Sequence, residues 1–90
     1  MPTNLIQAGT VNKTIDISTR KKDQMTAALV ESNTTVTTKV NLKFSDQKNK
    51  STYKAFNLTQ NQAHSVVGIP VGAVAYSVTV TGEDINIAWA

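Results

Sequence analysis

The sequence predicts an all-β protein: a small antiparallel β-sandwich, immunoglobulin-like or jelly-roll-like, with six to seven strands. Three observations carry this. Apolar and polar residues alternate in short runs, the period-two signature of strands with one buried face. Polar or Gly/Pro-containing turns separate those runs at nearly regular spacing. Thr, which favours strands, occurs 13 times in 90 residues.

Taken in order, residues 1–10 read as an uncharged N-terminal arm whose large apolar side chains are Leu5 and Ile6. Residues 11–90 read as the single sandwich domain. Val11 to Ser18 alternates, with Val11, Ile15 and Ile17 on one side. Residues 19–24 form a charged loop. Residues 25–32 fit a short helix or a strand with Met25, Ala27 and Leu29 on one face. The strand is favoured because its surroundings are β. Thr34 to Phe44 alternates most cleanly, with Lys39, Asn41 and Lys43 set against Val36, Val40, Leu42 and Phe44. After a polar loop, Ser51 to Thr59 returns with Phe56 and Leu58 inward. Ser65 to Ile69 is a short strand, broken by Pro70-Val71-Gly72. Ala73 to Thr81 places Val74, Tyr76, Val78 and Val80 inward. Gly82-Glu83-Asp84 reads as a hairpin turn into Ile85 to Trp89, where Ile85, Ile87 and Trp89 complete the predicted core.

Composition narrows the function. Cysteine is absent, which removes disulfides and thiolate metal sites. His64 is the only histidine, so it has neither a second imidazole for a metal nor a nucleophile elbow beside it. Glu83 and Asp84 supply too few oxygens for a calcium loop. The expectation is a protein that is not an enzyme, with no catalytic residue, no cofactor and no metal site. Four Asn-x-Ser/Thr triplets are discounted in a chain so rich in Asn and Thr. The N-terminus lacks a basic region and a long apolar run, so either no secretion signal operates or one has been removed.

Nine Lys and Arg against six Asp and Glu make a mildly basic chain. Arg20, Lys21 and Lys22 form the basic run, and with Lys39 and Lys43 they are the candidate contact for an anionic polymer. Aromatic residues do not interleave with them, which argues against nucleic acid as a partner.

Between Ala55 and Gly82 there is no Asp, Glu, Lys or Arg. Strand edges normally carry charge to prevent pairing with other chains. An uncharged, β-rich stretch therefore points to a surface covered by another subunit. The expected contact residues are Leu5, Ile6, Val66, Val67, Ile69 and Val71. The leading expectation is a non-catalytic structural protein that partners with itself through strand edges and the arm, as a phage or virion component or a surface fibre or layer subunit. Its place would be the virion or the cell surface. The alternatives are a small secreted effector acting on membranes or cell surfaces, bacteriocin-like or pore-forming, and a carbohydrate- or protein-binding module.

Overall fold

A computed structural model describes residues 3–89. Eight strands build it: β1 Thr3–Ile6, β2 Lys13–Asp16, β3 Gln24–Leu29, β4 Thr38–Asp46, β5 Ser51–Leu58, β6 His64–Gly68, β7 Ala73–Thr81 and β8 Ile85–Trp89. They form two four-stranded antiparallel sheets. Sheet A has the order β1-β8-β3-β6, and sheet B has the order β2-β7-β4-β5.

The order has a simple origin. Among the described residues only β4 and β5 follow one another within the same sheet. The other pairings nest outward from that hairpin: β3 with β6, β2 with β7, and β1 with β8. The chain is thus one long hairpin folded over into two layers, the jelly-roll topology. Its tip is the 46–50 turn, where the Asp46 carboxylate accepts the backbone N–H groups of Lys48 at 2.9 Å and Lys50 at 2.8 Å.

The eighth strand is β1. Thr3–Ile6, expected as part of an arm, instead pairs with β8 from Thr3↔Ala88 to Ile6↔Ile85, and Ile6 is fully buried. Met1 and Pro2 lie outside the described residues. Residues 25–32 are strand as far as Leu29, with Met25, Ala27 and Leu29 facing in. The hairpin expected at Gly82-Glu83-Asp84 is a crossing between sheets, since β7 and β8 belong to different layers. Gly82 permits it: its φ is +131°, and a Cβ there would lie 2.8 Å from the Thr38 Cα. Thr38, also fully buried, receives the Glu83 N–H on its hydroxyl at 2.8 Å.

Both sheets contribute to one core. Val40, Leu42, Phe44, Leu58, Tyr76, Val78 and Val80 of sheet B face Met25, Ala27, Val67, Ile85, Ile87 and Trp89 of sheet A. Tyr76 touches both layers, with its ring centroid 6.1 Å from those of Phe44 and Trp89. Its hydroxyl is buried without a hydrogen-bond partner. Burial pushes its pKa far above the ordinary phenol range, and the nearby Asn4 side chain offsets this only in part.

Three expected core positions differ, Val36, Phe56 and Val74, as does Val11 in the expected alternation of its strand. Val36 and Val11 are exposed, because β4 begins only at Thr38 and β2 only at Lys13. Phe56 is half-buried against the core, on the edge strand of sheet B. Val74 is half-buried and Ala73 takes its inward place. The cause is a bulge: Ser45 pairs with Ala75 but Asp46 pairs with Ala73, which shifts the alternation by one residue.

Candidate functional site

The two outer faces differ in chemistry. In sheet A the residues opposite the core fall into cross-strand rows. One row is Thr3, Ala88, Thr26 and Val66. The next is Leu5, Asn86, Ala28 and His64, with Gln24 and Gly68 beyond. None is Asp, Glu, Lys or Arg, and the same holds for all four strands of this sheet. Leu5 is 51% exposed and Val66 64% exposed on this face.

Among the described residues, every charged side chain that lies in a strand belongs to sheet B. These are Lys13 and Asp16 on β2, Lys39, Lys43 and Asp46 on β4, and Lys54 on β5. On the outer face, Lys39 pairs with Asn57 and Thr81, and Lys43 pairs with Tyr53 and Ser77. Tyr53 is 74% exposed. The Ser18 backbone N–H donates to the Asp16 carboxylate at 2.8 Å, and this bond, helped by the Ser18 side chain, lowers the carboxyl pKa.

The expected subunit-contact residues are divided by the alternation of the strands. Ile6, Val67 and Ile69 turn into the chain's own core and are buried; in a single copy they belong to the sandwich itself. Leu5, Val66 and Val71 point outward. Sequence neighbours on a strand take opposite faces, so a contiguous apolar run cannot all be surface. Val71 is 96% exposed at the tip of the turn from Pro70 to Ala73.

The expected basic set does not form one patch. Arg20 is half-buried, and its Nη1 donates to the Ala73 carbonyl. Lys21 and Lys22 are exposed on the β2–β3 loop, whereas Lys39 and Lys43 stand on the open face of sheet B. Lys54 faces the other side of its strand, with Nζ 3.7 Å from where a Cβ on Gly68 would sit. His64 is exposed on the uncharged face. Glu83 accepts from the Thr34 hydroxyl at 3.1 Å, and Asp84 accepts from the Ala8 N–H at 2.8 Å.

The uncharged face was the surface that reading along the chain missed. Its signal lies in the sequence, since TNLI, QMTAAL, HSVVG and INIAW all lack charge. Only the strand order gathers these four segments into one sheet.

No family model matches the chain, and no curated protein matches it in sequence. Solved structures of similar shape include the glycosylation-associated protein complex Gap123 of Streptococcus agalactiae. That match has 16% identity and a TM-score of 0.47 over 78% of this chain and 23% of the other. A second is the CBM22-1–GH10 portion of the Clostridium thermocellum endo-1,4-β-D-xylanase 10B, complexed with xylohexaose. Here identity is 11% and the TM-score 0.43, over 98% of this chain and 25% of the other. A third is the C-terminal family 22 carbohydrate-binding module of Clostridium thermocellum Xyn10B, with 17% identity and a TM-score of 0.34 over 99% of this chain and 80% of the other. The chain therefore spans 23% and 25% of the length of the first two.

Proposed function

We propose that this chain is a non-catalytic structural subunit that associates with copies of itself, as part of a virion or of a surface fibre or layer. The supporting observation is the uncharged sheet A, with Leu5 and Val66 exposed on its outer face. A net-basic protein that leaves one whole sheet without a charge forgoes the usual protection against sheet-to-sheet contact. Away from the Lys54 ammonium beside Gly68 at the rim, two such faces can approach without stripping water from any ion. The edge strands of this sheet, β1 and β6, lack charged side chains as well.

The face is small, on the order of 300 Å² from strand spacing and rise, so each contact is weak and association depends on concentration. Sedimentation velocity from micromolar to millimolar protein, paired with negative-stain imaging, tests the proposal. The reading expects mass to rise with concentration and regular particles or fibres to form. A monomer throughout would overturn it.

Tyr53 favours a second reading, a binding module. An exposed ring beside Lys43 on an open sheet is a platform on which a sugar or peptide can stack. Saturable binding to a panel of oligosaccharides, lost in Tyr53→Ala, would move the reading there.

A further inference from the structure

The charges that lie outside the strands are sorted along the molecule. The loops 7–12, 30–37, 59–63 and 82–84 meet at one end, tied together by Val30 N–H to Asp84 O, Leu29 N–H to Ala63 O and Gly9 N–H to Val80 O. Among the described residues the loops of this end carry Glu31, Glu83 and Asp84 and neither Lys nor Arg, against the adjoining Lys13 and Lys39 of β2 and β4. The loops 17–23, 47–50 and 69–72 meet at the other end, where Ile69 N–H bonds to Asp23 O. That end carries Arg20, Lys21, Lys22, Lys48 and Lys50 against Asp23 and the adjoining Asp16 and Asp46.

Each end also has a distinct shape. At the basic end, the Ala73 N–H bonds to the Pro70 carbonyl at 3.1 Å and Gly72 has φ +84°, the signature of a type II turn. That turn holds Val71 outward as a fixed knob, 96% exposed. At the acidic end, an open hollow of about 280 Å³ lies between the 34–37 segment and the 59–61 turn. Its lining is Thr, Gln and Asn apart from Val36, which is itself 43% exposed.

We infer that copies of this chain join head to tail, the basic end of one against the acidic end of the next, with Val71 seated in the hollow beside Val36. This rests on the self-association reading and gives it an axis. Opposite net charge at the two ends favours this orientation and disfavours like ends meeting. The two patches are different surfaces, so the contact is heterologous and repeats from copy to copy as a ring or an open row. The molecule measures 39 × 23 × 16 Å, and its strands run along the longest dimension. Its end therefore offers on the order of 400 Å² per copy, about half of a standard interface, so the contact is weak.

A charge-swap experiment tests this in a Val66→Lys background, where contacts through sheet A are blocked. One variant adds Glu31→Lys and Val36→Lys at the acidic end. The other adds Lys21→Glu and Val71→Glu at the basic end. All four positions are exposed, and circular dichroism melts would check that both variants fold. Sedimentation velocity up to about 1 mM should show each variant alone as a monomer and the equimolar mixture at about twice that mass or more, with the gain lost as salt rises to about 0.5 M. A mixture no heavier than its components, or a basic-end variant that associates like its Val66→Lys parent, would overturn the head-to-tail contact. Loss of mass on Val66→Lys itself reports separately on the sheet A reading.

Discussion

Sheet A and sheet B share one core and present opposite outer surfaces. Inward, both follow the same alternation and meet in the Phe44–Tyr76–Trp89 cluster. Outward, sheet B carries Lys39, Lys43 and Asp16 beside an exposed Tyr53, whereas sheet A presents only Thr, Ala, Asn, Gln, Gly, His, Leu and Val. Folding needs the inner faces alone. The outer faces are free to differ, and the proposed self-association rests on that difference.

The largest effects should come from the shared core and should not distinguish the sheets. Phe44→Ala in sheet B and Trp89→Ala in sheet A should each cost about 3–5 kcal/mol in urea unfolding. A large loss in one with little in the other would break the equality of the inner faces.

Next come the crossings that put successive strands into different sheets. Gly82→Ala should cost about 1–3 kcal/mol, because the added carbon meets the Thr38 backbone and the φ is unfavourable. Gly72→Ala, with open space around it, should cost about 1 kcal/mol from its positive φ alone. Thermal melts of the pair would show equal costs if the close approach to Thr38 were unimportant.

The smallest effect lies at the centre of the core. Tyr76→Phe removes a buried hydroxyl that has no partner, so stability at neutral pH should stay within about 1 kcal/mol or rise. The pH dependence sharpens this. Tyr76 has a raised pKa when folded, so its neutral form is fully stabilised below the unfolded value near 10. That stability is lost as pH climbs above it, because the unfolded chain ionises first. Alkaline unfolding curves should therefore be flatter for Tyr76→Phe above about pH 10 than for the parent. Coincident curves would show that the hydroxyl does not titrate with folding.

Much of the fold was legible because period-two alternation reports directly on burial. Val40, Leu42, Phe44, Val78, Val80, Ile85 and Ile87 all face the core as that pattern requires. The pattern does not report which strand neighbours which. A short turn such as Gly82-Glu83-Asp84 reads alike whether it closes a hairpin or crosses between layers, and the strand pairing shows that it crosses. The β7 bulge was equally silent: Val74 looks inward by spacing, and the extra residue there turns Ala73 in instead. The Leu5-Ile6 and Val66-Val67 pairs each looked like one apolar patch, but one member of each builds the core and the other faces out. The charge-free stretch from Ala55 to Gly82 was visible in the sequence. It straddles both sheets, however, and the uncharged surface is made from segments near residues 3, 24, 64 and 85.

The proposed self-association places the contact between copies on the uncharged face of sheet A. Placing one lysine on each outer face in turn tests it most directly. Val66→Lys charges sheet A, and Ala55→Lys, at an exposed position of edge strand β5, adds charge to the already polar sheet B. Both should change folding stability by no more than about 0.5 kcal/mol. Sedimentation velocity across a concentration series should show Val66→Lys losing the lateral association that the parent and Ala55→Lys retain. Equal association in all three, or its loss only in Ala55→Lys, would contradict a contact through sheet A.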